Sequence, residues 1–258
     1  MWLYYRFPLS VRDVEDLLAE RGIDVSFQTV AEWVSKFGLN FAHRLRRRSR
    51  GSFADKWHLD EIVVSIKGRK YWLSRAVDAD GYVLDALLQS RRNKKAALRR
   101  MRKLLKSQGA VPRFMITNKL RSYVAAKAQL LPGVEHRSHK GLNNRAQNSH
   151  LPLRRRERRM IRFKSPRQCQ RFVSAHSPIA NLFHLHRKHL TEANHRERRA
   201  DAIAIWRDIA LTALPDIRPK NTQHASYRLR RRHRGGLPIR FRFSSIWPPM
   251  VSTSSTRT

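Results

Sequence analysis

Acidic side chains are scarce in this chain: 19 Asp and Glu stand against 55 Lys and Arg, a formal net charge of +36 over 258 residues. Such an excess repels itself unless a polyanion neutralises it, which favours nucleic acid over an acidic membrane. Cysteine is nearly absent. Cys169 alone cannot build an internal disulfide framework; it fits a reducing compartment and the plain role of a small core residue. No apolar run reaches the roughly 18 residues that a membrane span needs. The opening MWLYYRFPLS is too short and wrongly ordered for a secretory signal. In contrast, 41% hydrophobic content is near that of a folded protein, and the length allows one sizeable domain plus a small one.

Two helical signatures occupy the first forty residues. Ser10 precedes Val11, Val14, Leu17 and Leu18 at helical spacing, with Asp13 placed as in a capping box, and Gly22 closes the run. Ser26 can cap a second helix with Phe27, Val30, Trp33 or Val34, and Phe37 on its apolar face. Two helices with a Gly-containing connection match a helix-turn-helix, which sets its second helix in the major groove. A plain helical hairpin packed on the next domain matches equally. In the first case Gln28, Thr29, Glu32, Ser35 and Lys36 face the groove. Residues 43–50, HRLRRRSR, read as a basic connector, with Arg46, Arg47 and Arg48 either solvated or on phosphates.

From Asp55 the period switches to two. Strands are predicted over 57–66, 70–78 and 82–89, with turns at Lys67-Gly68-Arg69 and Asp78-Ala79-Asp80-Gly81, the latter ending in the hairpin signal Asp-Gly. A helix through Ala96, Leu98, Met101, Leu104 and Leu105 follows, then a strand at 113–117, a helix at 120–131, a strand at 134–137, and helices at 166–186 and 191–211. Three antiparallel strands followed by alternating helix and strand describe an α/β fold with a mixed sheet, in the order of the ribonuclease-H-like fold. The expected organisation is a helix-turn-helix over 1–42, a basic linker over 43–54, a ribonuclease-H-like domain over 55–190, a helix over 191–214, and a basic, disordered tail over 215–258.

The wording of several segments says more than their spacing. WHLDE around Asp60, FMITNKLRSY around Asn118, and KGLNNRAQNSH around Gln147 carry it, with DEIVVSIKGRKYWLSRAVDADG, LRRRERRM and FVSAHSPIANLFH. Together they resemble the DDE transposases of the insertion-sequence-6 family, from about residue 2 to about residue 208. The likeness begins abruptly at Met1–Tyr5 and stops near Ala210, as in a truncated element with an altered reading frame at its end.

Where that family places Asp, Asp and Glu, this chain has Asp60, Asn118 and Gln147. The resemblance implies in-line attack on phosphodiesters with two Mg²⁺ (or Mn²⁺) ions held between carboxylates, Asp60 serving as ligand and Asn118 and Gln147 occupying the other two ligand positions. Amides keep a carbonyl oxygen each but no charge. Each missing charge-assisted contact weakens metal binding by on the order of a few kcal/mol, so little or no cleavage is expected. Glu61 points to the opposite sheet face, Asp78 and Asp80 read as turn residues, and Asp55 as a loop acid; none replaces the missing carboxylates. The twelve histidines lack the cysteine partners or spacing of a zinc site.

Arg145, Arg154, Arg155 and Arg158 are assigned to phosphates, although a run with five arginines and Glu157 over 154–159 also suits a solvated surface. The resemblance further implies double-stranded DNA as partner (terminal inverted repeats and target), a homodimer on that DNA, and residence at the nucleoid in a bacterial or archaeal cytoplasm. The alternative is a non-catalytic DNA-binding remnant competing at element ends. A basic RNA- or ribosome-associated protein has charge alone in its favour.

Overall fold

The Ser10 hydroxyl accepts from the Asp13 amide while the Asp13 carboxylate accepts from the Ser10 amide, so a capping box opens α2 (Val11–Ala19), as the sequence predicts. A short α1 (Trp2–Arg6) precedes it. Gly22, at φ +72°, carries the turn that follows, in a region glycine enters without steric cost. Ser26 then caps α3, accepting from the Thr29 amide. The computed structural model describes residues 1–49, 53–118, 121–138, 140–184 and 191–213, and the expected tail over 215–258 lies outside them.

α3 runs Phe27–Arg48, so the stretch read as a loose basic connector is helix through Arg48. Nothing between Gly38 and Gly51 breaks a helix, and Arg and Leu are strong helix formers. Several of its arginines hold protein. Arg44 donates to the Thr212 hydroxyl at 2.7 Å, Arg46 donates to the Ser174 carbonyl at 2.6 Å, and Arg48 pairs with Asp208.

Three antiparallel strands come next, β1 (Lys56–Ile66), β2 (Arg69–Val77) and β3 (Val83–Gln89). Lys67 and Gly68, both at positive φ, form the first two-residue turn and set the register that pairs Asp60 with Arg75. The Asp78 carboxylate accepts from the amides of Asp80, Tyr82 and Ala54, a turn role. Then follow α4 (Lys94–Gln108), β4 (Phe114–Thr117), α5 (Arg121–Leu130) and β5 (Glu135–Ser138). With β4 and β5 parallel to β1, the sheet order β3-β2-β1-β4-β5 is the ribonuclease-H-like arrangement. A 3-10 turn over Lys140–Asn143 leads into α6 (Asn144–Arg159), followed by α7 (Pro166–Leu182) and α8 (Glu192–Ala213). Among the described residues no helix is long and apolar enough to cross a membrane.

Alternation along the strands divides the core. Trp57, Leu59, Ala76 and Met115 pack under α4 and α5 with Met101 and Tyr123. On the other face Val64, Ile66 and Leu73 share one core with Tyr4, Tyr5, Val14 and Val30 from the N-terminal helices and with Phe172 and Ile179 from α7. The first three helices are thus joined to the sheet by buried apolar surface, at about 1.5–3 kcal/mol per fully buried large side chain. Cys169 lies in this core, where burial, with Glu157 adding to it, pushes its thiol up to about 12.

Gly38 sits inside α3 at the crossing with α1. A β-carbon there would come within 2.2 Å of the Tyr5 hydroxyl and 3.0 Å of its ring. Tyr5 is buried, stacked on Phe172 and edge-on to Tyr4, so it cannot retreat. Gly→Ala in an ordinary helix interior stabilises by up to about 1 kcal/mol. Here the sign reverses: Gly38→Ala is expected to destabilise by roughly 1–3 kcal/mol, read from urea denaturation midpoints.

A buried polar chain crosses the α4 face of the sheet. Arg100, fully buried, donates to the Asp85 carboxylate at 2.6 Å, to the Asp85 carbonyl at 2.8 Å, and to the Ser74 hydroxyl at 3.2 Å. The Ser74 hydroxyl lies 2.8 Å from that of Tyr123, which donates to Glu61 at 2.9 Å, and Arg92 closes the series on Glu61 at 3.0 Å. Glu61 is thus a paired residue on the face opposite Asp60.

Candidate active site

Asp60 stands in the middle of β1, and Asn118 follows the last residue of β4. The parallel register that sets Leu59 beside Thr117 brings the two side chains together. The Asn118 amide nitrogen donates to Asp60 Oδ1 at 2.5 Å. Asn143, fully buried at the start of α6, donates to the Leu59 carbonyl at 2.8 Å and to Asn118 Oδ1 at 3.2 Å. These bonds fix which way the Asn118 amide faces. Turned over, it would set oxygen against the Asp60 oxygen and nitrogen against the Asn143 nitrogen.

The second Asp60 oxygen lies 3.5 Å from His150 Nε2. Burial holds the His150 pKa below its ordinary value, against the pull of Asp60, so the ring is neutral at pH 7 and the contact is not an ion pair. Asn143 and His150 stand at the two ends of a stripe on α6, and Gln147, half-buried, lies between them, four residues after one and three before the other. Asp60 in mid-strand and Asn118 at a strand end therefore meet, and α6 packs above them through Asn143 and His150, the two residues that flank Gln147 along the helix. The helix continues through Pro152, so Gln147 and the arginines after Pro152 belong to one element.

An Asp, Asp, Glu site would meet divalent metal with three anionic side chains. Asp60 meets instead an amide donor on one oxygen and a neutral imidazole near the other. Hard cations need oxygen acceptors, and a donor N–H directed at the ligand atom competes with them. Among the described residues no group of three or more His, Cys, Asp or Glu is placed to hold a metal. The residues present do not fit the two ions that the resemblance implies.

The expected DNA contacts divide into free and engaged groups. Gln28, Glu32 and Lys36 lie one turn apart on the exposed side of α3. Thr29 turns its hydroxyl to Ser26 at 3.1 Å, and Ser35 accepts from Arg171 through both its carbonyl and its hydroxyl. Arg47, Arg145, Arg155 and Arg158 are exposed. Arg154 instead donates to Glu157 at 2.6 Å and to the Val63 carbonyl at 2.5 Å. Arg156, buried, donates to the Phe7 carbonyl at 2.8 Å and to that of Leu9, with its guanidinium 4.3 Å from the Tyr4 ring centre. Part of this run, with Arg46 and Arg48 of α3, therefore grips protein where phosphates were expected. Net charge gave no sign of that, because the acceptors are carbonyls and acids about a hundred or more residues away in sequence.

Two groups at the site carry no acid and attract no notice in a sequence. Asn143 orients the amide that faces Asp60. Arg75, opposite Asp60 in the β1–β2 ladder, is 3% exposed.

A family model described as a DDE domain, of the IS240 transposase type, matches residues 54–186. A transposase for the insertion sequence-like element IS431mec of Staphylococcus aureus strain Mu50 is 31% identical over 161 residues, 60% of this chain and 71% of that protein. The transposase for IS257 in transposon Tn4003 of Staphylococcus aureus is 30% identical over the same shares. Among solved structures, the catalytic core of HTLV-2 integrase in complex with magnesium aligns at a TM-score of 0.31 and 19% identity, over 38% of this chain and 68% of that one. The domain match covers half of the chain, and the identity to these transposases extends over more than two thirds of their length: the chain belongs to the DDE-domain transposases of the insertion-sequence-6 family.

Proposed function

We propose that the chain binds the terminal inverted repeats of an insertion sequence as double-stranded DNA and occupies those ends without cutting or joining them. The observation that carries this reading is the Asn118 amide nitrogen turned onto Asp60. The one remaining triad carboxylate has a hydrogen-bond donor beside it where a second metal ligand is required. Mg²⁺ (or Mn²⁺), which the intact arrangement would hold, is bound weakly here. The exposed row of Gln28 and Lys36 on α3 reads the repeat, and Arg47, Arg145, Arg155 and Arg158 hold phosphates. Because transposition joins two ends, the DNA-bound form is a homodimer, located at the nucleoid in a bacterial or archaeal cytoplasm. Such a protein competes with an intact transposase for the same ends.

The test uses the full chain with duplexes copied from the DNA flanking its coding sequence, set against scrambled duplexes. Binding is expected to favour the flanking sequence, to fall with salt at a log–log slope of about −0.9 per phosphate contact, and to be indifferent to EDTA. Gln28→Ala and Lys36→Ala should each lower the preference by roughly 10-fold, as loss of a base-edge contact does. Equal affinity for scrambled DNA would remove end recognition from the reading. Cleavage by the native chain in Mg²⁺ would remove the rest.

A further inference from the structure

Three arginines are buried among the described residues, and two of them have oxygen partners. Arg100 has the Asp85 carboxylate, and Arg156 has the carbonyls of Phe7 and Leu9. Among the described residues Arg75 finds neither a hydrogen-bond nor an ion-pair partner, and its Nε is both buried and unpartnered. Its side chain lines a cavity of about 270 Å³ between β2, α6 and α7. His176 of α7, 5% exposed and with Nδ1 unpartnered, lines the same cavity, as do Arg145 and Asn148 of α6. Asp80 is the one acid in the lining; it is exposed, and water screens it.

Asp60 stands opposite Arg75 on the same sheet face but forms no ion pair with it among the described residues. A guanidinium taken out of water without a bonded counter-ion is costly, and arginine does not escape by losing its proton. Burial pulls Arg75 down to about 10, with Arg100 adding to the shift, and that value still leaves it charged at pH 7. Burial, aided by Arg75 and Arg156, pulls His176 down to about 3, so its ring is neutral and offers one N–H without adding charge. The cavity therefore presents a buried cation, a second cation on Arg145, the Asn148 amide and one imidazole. Its missing component is a multivalent oxyanion, and a planar guanidinium fork matches phosphate.

We propose that this cavity is a phosphate-binding site in which Arg75 is the buried anchor and Arg145, Asn148 and His176 complete the donor set. The site stands on the cavity alone; only the suggestion that its phosphate belongs to DNA rests on the reading given under Proposed function. Arg145 and Asn148 flank Gln147 on α6, so a phosphodiester held here lies next to the triad position, while a free phosphate group would satisfy the same donors.

The probe is inorganic phosphate, titrated into the full chain by calorimetry and thermal melting, with chloride at matched ionic strength as reference. Native chain is expected to bind phosphate and melt higher in it, and Arg75→Met to lose roughly 10- to 100-fold in phosphate affinity. In phosphate-free buffer Arg75→Met should melt at or above the native temperature, because an uncompensated buried cation has been exchanged for apolar bulk. Arg145→Ala, at an exposed position that tolerates truncation, should weaken phosphate binding on its own if Arg75→Met folds poorly. Lys106→Ala, exposed on α4, should leave phosphate binding unchanged. A phosphate response equal in the native and Arg75→Met chains, or equal to that in chloride, overturns the site. Duplex DNA separates the two sources: phosphate that displaces the duplex, together with weaker duplex binding by Arg75→Met, assigns the phosphate to DNA. Phosphate binding that is lost in Arg75→Met with duplex affinity intact assigns it to a free phosphate group. Neither result depends on whether the flanking DNA is preferred over scrambled DNA.

Discussion

Replacing Asn118 by Asp and Gln147 by Glu in the full chain is expected to produce Mg²⁺-dependent nicking at element ends where the native chain shows none, a gain of at least about 10³-fold over background. Two restored charge-assisted contacts of about 2–3 kcal/mol each support that figure, since each 1.4 kcal/mol is a factor of ten. The double variant should also carry a signature that a merely better-folded protein would lack. Asn118→Asp exchanges the amide donor 2.5 Å from Asp60 Oδ1 for a second carboxylate, so the metal-free variant sets like charges together and should melt below the native chain in EDTA. Mg²⁺ should raise that melting temperature, and should leave the native one unmoved. If Mg²⁺ neither stabilises the variant nor supports nicking, the amides are not what disables the site. Both single variants are expected to remain inactive, because ligands around a shared metal act as a unit.

Arg100→Met is expected to cost roughly 3–5 kcal/mol of stability. It strands the Asp85 carboxylate, 7% exposed, with Lys103 as its one cation at 2.9 Å, and takes a donor from Ser74. Urea denaturation against pH gives the check. Burial opposes the Asp85 charge, yet Arg100 and Lys103 outweigh it and hold its pKa below the ordinary 3.8. A depressed carboxylate contributes stability that is complete above its unfolded value and is lost as pH falls through its folded value. In Arg100→Met burial loses its main opponent, and the folded pKa rises. The deficit of the variant should therefore narrow as the pH drops below 3.8. A deficit of the same size at pH 7 and pH 3 would mean that Arg100 contributes packing rather than charge.

The two buried arginines of β2 and α4 differ in a way that no composition shows. Arg100 and Asp85 are joined across the α4 face, whereas Arg75 lies on the opposite face, beside Asp60 in the ladder. The hairpin is legible but its register is not, since the expected turn over Lys67-Gly68-Arg69 would set Ile66 opposite Lys70. A two-residue turn at Lys67 and Gly68 pairs Ile66 with Arg69 and, counting outward, Asp60 with Arg75. The strands themselves were readable because alternating apolar residues end in strong turn signals, and β4 because Phe114–Thr117 is a short apolar run. The place of Gln147 was harder to see. A proline in mid-helix is disfavoured by sequence rules, yet α6 begins at Asn144 and runs through Pro152. The arginine stretches are ambiguous in sequence for a different reason. A helix-forming, positively charged segment looks the same whether its partners are phosphates or backbone carbonyls, and only the tertiary fold shows that Arg46 meets Ser174 and Arg156 meets Phe7 and Leu9.

The Arg156 clamp has a consequence for how the chain meets a duplex. It fastens the segment ahead of α2 to the far end of the helix that carries Gln147, while α3 is held along α7 by Arg46 and Arg171. The α3 surface proposed to read DNA and the helix that carries Gln147 are thus tied into one packed frame. With about 10 base pairs per helical turn, each base pair inserted between the two contacts swings one of them around the duplex axis by roughly 35°. If α3 reads the repeat as proposed, the spacing between repeat and terminus in the DNA would be set by this frame rather than by a hinge.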